Sequence, residues 1–283
     1  MSTLKSGIRS FAKPILYKLL GNRFYKYAQF YGKKRDIRYR LIDEREMFLL
    51  EEFIKPGDTV LDLGANFAYY TERMSGIVGE QGKVYAFEPI PFTFDVFKML
   101  VKHFRLKNVI YYQKGVSGKT ETVRFTVPKM DIGTLSTGQA HIAGRKDGTE
   151  ANQKYKISGE ETFDCEVVAL DEFYSSGLPG LTFIKIDIEG AELFALQGAK
   201  GILQKYKPVI LIEINPDFLK GFGLTAADML NFIEQTGYKI FYLNEETRKL
   251  MPLDNKPLWE YNFILIPSDK VESYKKIISH VQQ

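Results

Sequence analysis

The sequence predicts a doubly wound α/β fold: a seven-stranded, mostly parallel sheet with a helical arm before it and a lid-like insertion within it. Three observations predict this. From Thr59 onward, short continuous apolar runs alternate with helix-period segments, the pattern of parallel strands covered by helices on both faces. Several of those runs end in an acid, at Asp62, Glu88, Asp187 and Glu213, and open α/β sheets bind ligands at their strand ends. The last two runs, residues 239–242 and 263–266, have no helix of note between them and fit an antiparallel hairpin at the sheet edge. The chain has 283 residues, 45% hydrophobic and 26% charged. That suits a globular protein of one large domain, or one domain with an appendage.

The arm comes first. Residues 1–40 hold eleven Lys or Arg and one acid, Asp36, a net +10 in a chain of net +4, so the remainder carries −6. Leu16, Leu19, Leu20, Phe24, Tyr27 and Tyr31 recur at helical spacing, and Pro14 suits a helix start. Two readings follow: a helix packed on the main domain with its basic face in solvent, or a contact with a membrane surface or polyanion. We divide the chain into an arm, 1–44, and a domain, 45–283. Lys13, Pro14 and Lys18 break the apolar character of the N-terminus, which reads poorly as a signal peptide. No apolar run reaches membrane-span length. The single cysteine, Cys165, excludes an internal disulfide and fits a cytoplasmic setting.

The strands of the domain are expected at 60–63, 84–87, 109–112, 183–188 and 209–214, followed by the closing pair. Helices are expected at 69–77, 92–104, 191–204 and 226–236. Residues 120–127 and 162–168 alternate like half-exposed strands. Between them, 129–161 is polar and rich in Gly, Ser and Thr, and a loop so long reads either as a substrate-side lid or as a disordered insertion.

Four segments carry chemistry. Val60-Leu-Asp-Leu-Gly-Ala-Asn-Phe-Ala-Tyr-Tyr-Thr71 is a strand, a small-residue loop and a helix start. Gly64 and Ala65 allow close backbone approach to a ligand, Asp62 can accept from a ligand amine, and the helix N-terminus offers free N–H groups. The second and third glycines of a dinucleotide loop are missing, which argues against NAD. Glu88 ends the second strand twenty-four residues after Gly64, where an acid can take the ribose hydroxyls of an adenosine ligand, and Pro89 turns the chain. In Phe183-Ile-Lys-Ile-Asp-Ile-Glu-Gly-Ala-Glu192, Lys185 and Asp187 share one strand face. Glu189 and Glu192 then open a helix, whose field lowers a carboxylate's pKa. Val209-Ile-Leu-Ile-Glu213-Ile-Asn215 ends in another acid. With strand order 3-2-1-4-5, Asp62, Asp187 and Glu213 fall on adjacent ends and raise one another's pKa unless a cation intervenes.

Together these segments resemble the FkbM family of methyltransferases, over about residues 46–266. Ile184-Lys-Ile-Asp-Ile-Glu-Gly-Ala-Glu192 with Gly198-Ala199 is similar to its most specific signature, and Leu211-Ile-Glu-Ile214 also matches. Gly115-Val-Ser-Gly118 resembles a segment near the adenine, with Gly118 in place of the usual acid. Ala68 stands where the family often has glycine, which implies a slightly displaced loop. The resemblance implies a Rossmann-like, class I fold and methyl transfer from S-adenosyl-L-methionine, usually to oxygen, on acceptors that include sugars and natural products. The cofactor-binding residues it implies are Asp62, Gly64, Ala65, Asn66, Tyr69, Tyr70, Thr71, Glu88, Pro89, Gly115, Val116, Ser117 and Asp187.

Methyl transfer is an in-line displacement, so the enzyme aligns the acceptor, excludes water and removes the hydroxyl proton. The candidates for proton removal are Asp187, Glu213, Glu189, Glu192 and His141, with Asp187 and Glu213 favoured as base or substrate anchor. We assign no metal; a metal-assisted version would use Asp187, Glu213 and Asn215 as oxygen ligands for Mg²⁺. The expected partner is a small-molecule or glycan acceptor. A nucleic-acid methyltransferase is the rival enzyme, resting on Asn215-Pro-Asp-Phe218 and the basic arm. A binding module without catalysis is the rival of another class.

Overall fold

The computed structural model describes residues 25–42, 44–130, 141–142, 157–254, 256–259 and 261–279. Helix α1 runs through residues 25–38. A 3-10 turn, Met47–Leu49, and a short α2, Leu50–Phe53, lead into the sheet. The expected alternation follows: β1 (Thr59–Leu63), α3 (Tyr69–Val78), β2 (Lys83–Phe87), α4 (Pro91–Phe104) and β3 (Val109–Tyr112). Next come β4 (Gly115–Val116), β5 (Glu121–Met130), β6 (His141–Ile142) and β7 (Ile157–Val168). The chain returns through α5 (Leu170–Phe173), β8 (Leu181–Ile186), α6 (Glu192–Gln197), α7 (Lys200–Tyr206) and β9 (Val209–Ile214). It continues with α8 (Pro216–Gly221), α9 (Ala226–Gln235), β10 (Tyr238–Asn244), β11 (Lys249–Pro252) and β12 (Tyr261–Pro267).

The main sheet has the order β3-β2-β1-β8-β9-β12-β10-β11. Its first five strands are mutually parallel, and β12 runs antiparallel to both β9 and β10. The doubly wound form follows from two-faced apolar strands. On one face Val60, Val84, Phe183 and Val209 pack with α3, α4 and the segment after α1. On the other, Leu61, Leu63, Ile184, Ile186, Ile210 and Ile212 pack with α6, α7 and α9. Each such side chain, fully buried, contributes about 1.5–3 kcal/mol of hydrophobic stabilisation. The chain leaves outward through β2 and β3, then returns to the other side of β1 as β8. The helices that follow β1 and β8 therefore pack on opposite faces at a switch point, where such sheets open a crevice.

The expected strand order and closing antiparallel pair are present, and one strand is added. The sheet has eight strands, because Lys249–Pro252 pairs with β10 as the outermost edge. That strand is four residues long, bounded by Lys and Pro, with only Leu250 buried, so it carries no alternation to read. The expected lid is also shorter at both ends. β5 extends to Met130 and β7 begins at Ile157, in a second sheet of order β4-β7-β5-β6. The rest of the expected lid, residues 131–140 and 143–156, lies outside the described residues. The helix expected at 191–204 divides at Gly198-Ala199, where a Cβ on Gly198 would stand 2.2 Å from the Ser117 carbonyl oxygen. The segment after β4 therefore packs directly on this break.

The phase of α1 differs from the expected stripe. Tyr25 and Ile37 are buried and Phe30 packs on the core, whereas Tyr27 and Tyr31 face outward. Five Lys or Arg in this short stretch blur the apolar period, and aromatic residues occupy both faces. Leu16, Leu19, Leu20 and Phe24 lie outside the described residues.

Candidate functional site

The site grows from the end of β1. Gly64 and Ala65 donate backbone N–H bonds of 3.0 and 2.9 Å to the Phe87 carbonyl, which ties the loop to the end of β2. Gly64 has φ +80°, and a Cβ there would lie 1.9 Å from the Asp187 carbonyl oxygen. Its glycine is thus required by the close approach of the chain after β8. Asn66 and Ala68 follow with φ of 45° and 63°, and Ala68 takes the left-handed geometry itself as the N-cap of α3.

Lys185 is the cation that the acid cluster needed. It sits opposite Asp62 in the β1–β8 register. Its Nζ donates to the Gly64 carbonyl at 3.0 Å and to Asp187 Oδ2 at 3.2 Å, stands 4.0 Å from Asp62 Oδ1, and lies 5.2 Å from the Tyr70 ring centre. Burial works against its charge, but Asp187 and Asp62 outweigh that and hold its pKa above the ordinary value. Asp62 is fully buried and accepts from the Thr71 hydroxyl; burial raises its pKa against the pull of Lys185. Asp62 and Thr71 thus lie buried beneath the loop as its support.

Beside this support lies a cleft lined by Gly64, Asn66, Glu88, Pro89, Lys114, Gly115, Val116, Asp187 and Glu189, with Phe87, Ile90, Phe125 and Ile188 as its apolar walls. Glu88 is buried, its two carboxylate oxygens accepting the Asn66 and Ile90 amide protons at 2.9 Å each. Burial pushes its pKa up to about 7 despite those bonds. The Asn66 Oδ1 is buried and has no hydrogen-bond partner among the described residues. A cleft with apolar walls and a few convergent acceptors has the chemistry of a nucleoside site. Phe125 reaches it from β5, so the second sheet completes the wall, and Cys165 behind it is a buried thiol whose pKa burial raises.

On the far side of Asp187 a second, polar cavity is lined by Glu44, Arg45, Glu46, Asp187, Glu213, Tyr261 and Asn262. Tyr70 donates its hydroxyl proton to Glu44 at 2.7 Å, and the Asn262 amide reaches Glu44 and Glu46 at 3.4 and 3.3 Å. Arg45 is engaged with Glu245. Burial, and then the charge and hydrogen bond of Asp187, push Glu213 up to about 10. Glu213 therefore holds its proton at neutral pH.

Of the residues singled out in the sequence, Gly64, Asn66, Glu88, Pro89, Gly115, Val116, Asp187 and Glu189 line the first cleft. Ala65, Tyr70, Thr71 and Ser117 are buried behind it, and the Tyr69 hydroxyl lies 3.5 Å from Asp36 of α1. Glu192 is corrected: it is buried, and its Oε1 accepts the Ile188 and Gly190 amides at 3.0 and 3.1 Å. Burial raises its pKa to about 7, opposite to the lowering expected from the helix field. Glu189 does not open a helix, but precedes α6 in a turn with φ +59°. His141 is a strand residue, paired with Thr126 in the second sheet, rather than a loop histidine. Asn215 caps α8, accepting from the Asp217 and Phe218 amides at 2.9 and 3.4 Å. That engages its Oδ1, the oxygen on which both the Mg²⁺ set and the nucleic-acid motif drew. Glu44, Glu46 and Asn262 were missed; they reach the site through contacts more than 200 residues apart in sequence, which no local pattern signals.

The comparisons agree with this geometry. The family model for the methyltransferase FkbM domain matches residues 62–240. A hexuronic acid methyltransferase, AglP, of Haloferax volcanii is 28% identical over 168 residues, covering 59% of this chain and 60% of its own length. Methyltransferase sdnD of Sordaria araneosa is 30% identical over 158 residues, covering 49% of this chain and 59% of its own. The chain thus spans about 60% of the length of these curated relatives. The crystal structure of an FkbM methyltransferase from Methylobacillus flagellatus aligns at TM-score 0.46 and 15% identity, over 84% of this chain and 59% of that one. The matched stretch runs from Asp62 through both cleft-lining loops to β10, and the chain belongs to the FkbM methyltransferase family.

Proposed function

We propose that this chain transfers a methyl group from S-adenosylmethionine, the donor its family uses, to a hydroxyl oxygen of a small-molecule or sugar acceptor. Asp187 carries the reading, because it alone of the acids lines both the cleft and the polar cavity beyond it. When bound, the donor supplies an electrophilic methyl on a sulfonium centre. Glu88 and Asn66 hold its nucleoside part, and Lys185 fixes the Gly64 carbonyl and the Asp187 carboxylate from beneath. Asp187 receives the acceptor's proton. Glu213, still protonated, orients Asp187 as a donor rather than serving as a second base. The buried lone cysteine supports a cytoplasmic setting.

The polar cavity also bears on the acceptor. Glu44, Glu46 and Asp187 give it an acidic wall, and its one arginine is already paired. Like charge repels an anionic ligand from such a wall, so a neutral hydroxyl compound suits this chain better than a uronate. Incubation with isotopically methyl-labelled donor, followed by mass spectrometry, tests both points. Neutral sugars should gain the label in preference to uronates. Asp187→Asn should lose about 10²–10⁴-fold in rate with donor affinity kept within a few fold. Near-normal turnover by a folded Asp187→Asn chain would remove Asp187 from the chemistry.

A further inference from the structure

The outer face of α1 takes no part in the methyl-transfer reading. On α1, residues 25, 30, 33 and 37 turn toward the domain. Tyr25 and Ile37 are buried, Lys26 pairs with Asp95 of α4 at 3.1 Å, and Lys33 stands 4.3 Å from the Phe67 ring centre in the β1–α3 loop. The opposite stripe, spaced four, seven and eleven residues from its first member, is Tyr27, Tyr31, Lys34 and Arg38. Tyr27 and Tyr31 are 49% and 63% exposed, and just beyond the helix Tyr39, Leu41 and Ile42 are 65%, 55% and 40% exposed.

These five side chains form the greater part of the exposed large apolar residues among those described, Ile110 and Tyr111 being the others. Isolated exposed apolar groups need no explanation, but a group confined to one short segment does. Its charge is one-sided. Lys34, Arg35, Arg38 and Arg40 lie on or beside the stripe, and the acid of the segment, Asp36, is buried. Lys34 and Arg38 also press on the His103 of α4, whose pKa falls through burial first and then through their charge. Residues 1–24 add five further Lys or Arg and no acid.

We propose that the outer face of α1 and the turn after it dock on an anionic lipid surface. Basic side chains beside amphipathic tyrosines and aliphatic residues match the two layers of such a surface, phosphate outside and acyl chains within. A nucleic acid would complement the charge, but has no apolar layer to receive Leu41 and Ile42. Because α1 also touches the β1–α3 loop through Lys33 and lies by Tyr69 through Asp36, docking would hold that loop facing the membrane.

The test is flotation of the full chain with vesicles of phosphatidylcholine alone, and of phosphatidylcholine mixed with phosphatidylserine. The wild type should float with the mixed vesicles and not with phosphatidylcholine. Lys34→Glu/Arg38→Glu should weaken mixed-vesicle binding by about tenfold or more, and so should Tyr27→Ser/Tyr31→Ser. Circular dichroism of both variants should match the wild type, since all four side chains point outward. If the helix does not tolerate the serines, Leu41→Ser/Ile42→Ser, outside the helix, gives the same readout. Wild type that stays with neither vesicle overturns the proposal. So does equal binding to both, or binding that neither apolar variant changes. Tight binding of a single-stranded RNA without vesicle binding overturns it in favour of the polyanion reading, and a dimer that buries this face, seen by light scattering and abolished by the serine variants, does so in favour of a second copy.

Discussion

Ala68 shows how much a single position can carry. The resemblance to sequences with glycine there implied a displaced loop, but the alanine adopts the left-handed conformation itself, at φ 63° and ψ 21°, accepting a strain of about 1–2 kcal/mol. Glu213 has the sharper consequence. Its carboxyl is raised from an ordinary 4.5 to about 10 by burial and by Asp187. A carboxyl raised on folding contributes stability that is fully present below about 4.5 and is lost as pH rises through about 10. Across that window the wild type should lose at most about 1.4 kcal/mol per pH unit on this account. Glu213→Gln keeps a donor and does not titrate, so its melting temperature should fall less between neutral and alkaline pH. It should also retain most activity, unlike Asp187→Asn. Melting curves over that range check this, and parallel slopes for the two proteins would count against a protonated Glu213. The acids at the strand ends were legible because charge in an apolar run is conspicuous. Their protonation was not, since it depends on burial and on neighbours from other strands.

At the scale of elements, the turn from β8 into α6 is the clearest case of a motif whose residues do different work than their types suggest. Glu192 was a candidate base, yet its Oε1 gathers two backbone amides of the turn and its other oxygen is buried with no hydrogen-bond partner among the described residues. Glu192→Gln keeps the accepting oxygen and should stay within about 1 kcal/mol of the wild type, whereas Glu192→Ala strands two buried donors and should cost about 2–5 kcal/mol. Chemical denaturation of the two variants distinguishes this from a catalytic role, in which both would be stable and both inactive. The turn's place was legible from the glycine and acids of Ile188-Glu-Gly-Ala-Glu192; its internal hydrogen bonds were not. Helix α9 was read within a residue of its bounds, because its apolar period is clean and Thr225 and Asp228 form a capping box. Helix α1 was found but its phase was not, for the stripe of Tyr27 and Tyr31 belongs to its outer face.

For the whole molecule, the order β3-β2-β1-β8-β9 followed from apolar runs alternating with helices, and it sets the position of the site. That order puts Gly64, Glu88 and Asp187 at one crevice although they lie far apart in sequence. The rest of the site came from outside that pattern. Glu44 and Glu46 precede the sheet, Asn262 stands on its antiparallel strand β12 opposite Glu213, and Phe125 arrives on the second sheet, so their convergence is a property of the packed chain. The account rests on that crevice being the donor site. Calorimetric titration with S-adenosylhomocysteine tests this most directly. The wild type should bind at a single site, and Glu88→Ala should weaken binding by about 1.5–3 kcal/mol, the scale of a charge-assisted hydrogen bond. Preferential binding of NAD, or a folded Glu88→Ala chain that binds S-adenosylhomocysteine as tightly as the wild type, would contradict it.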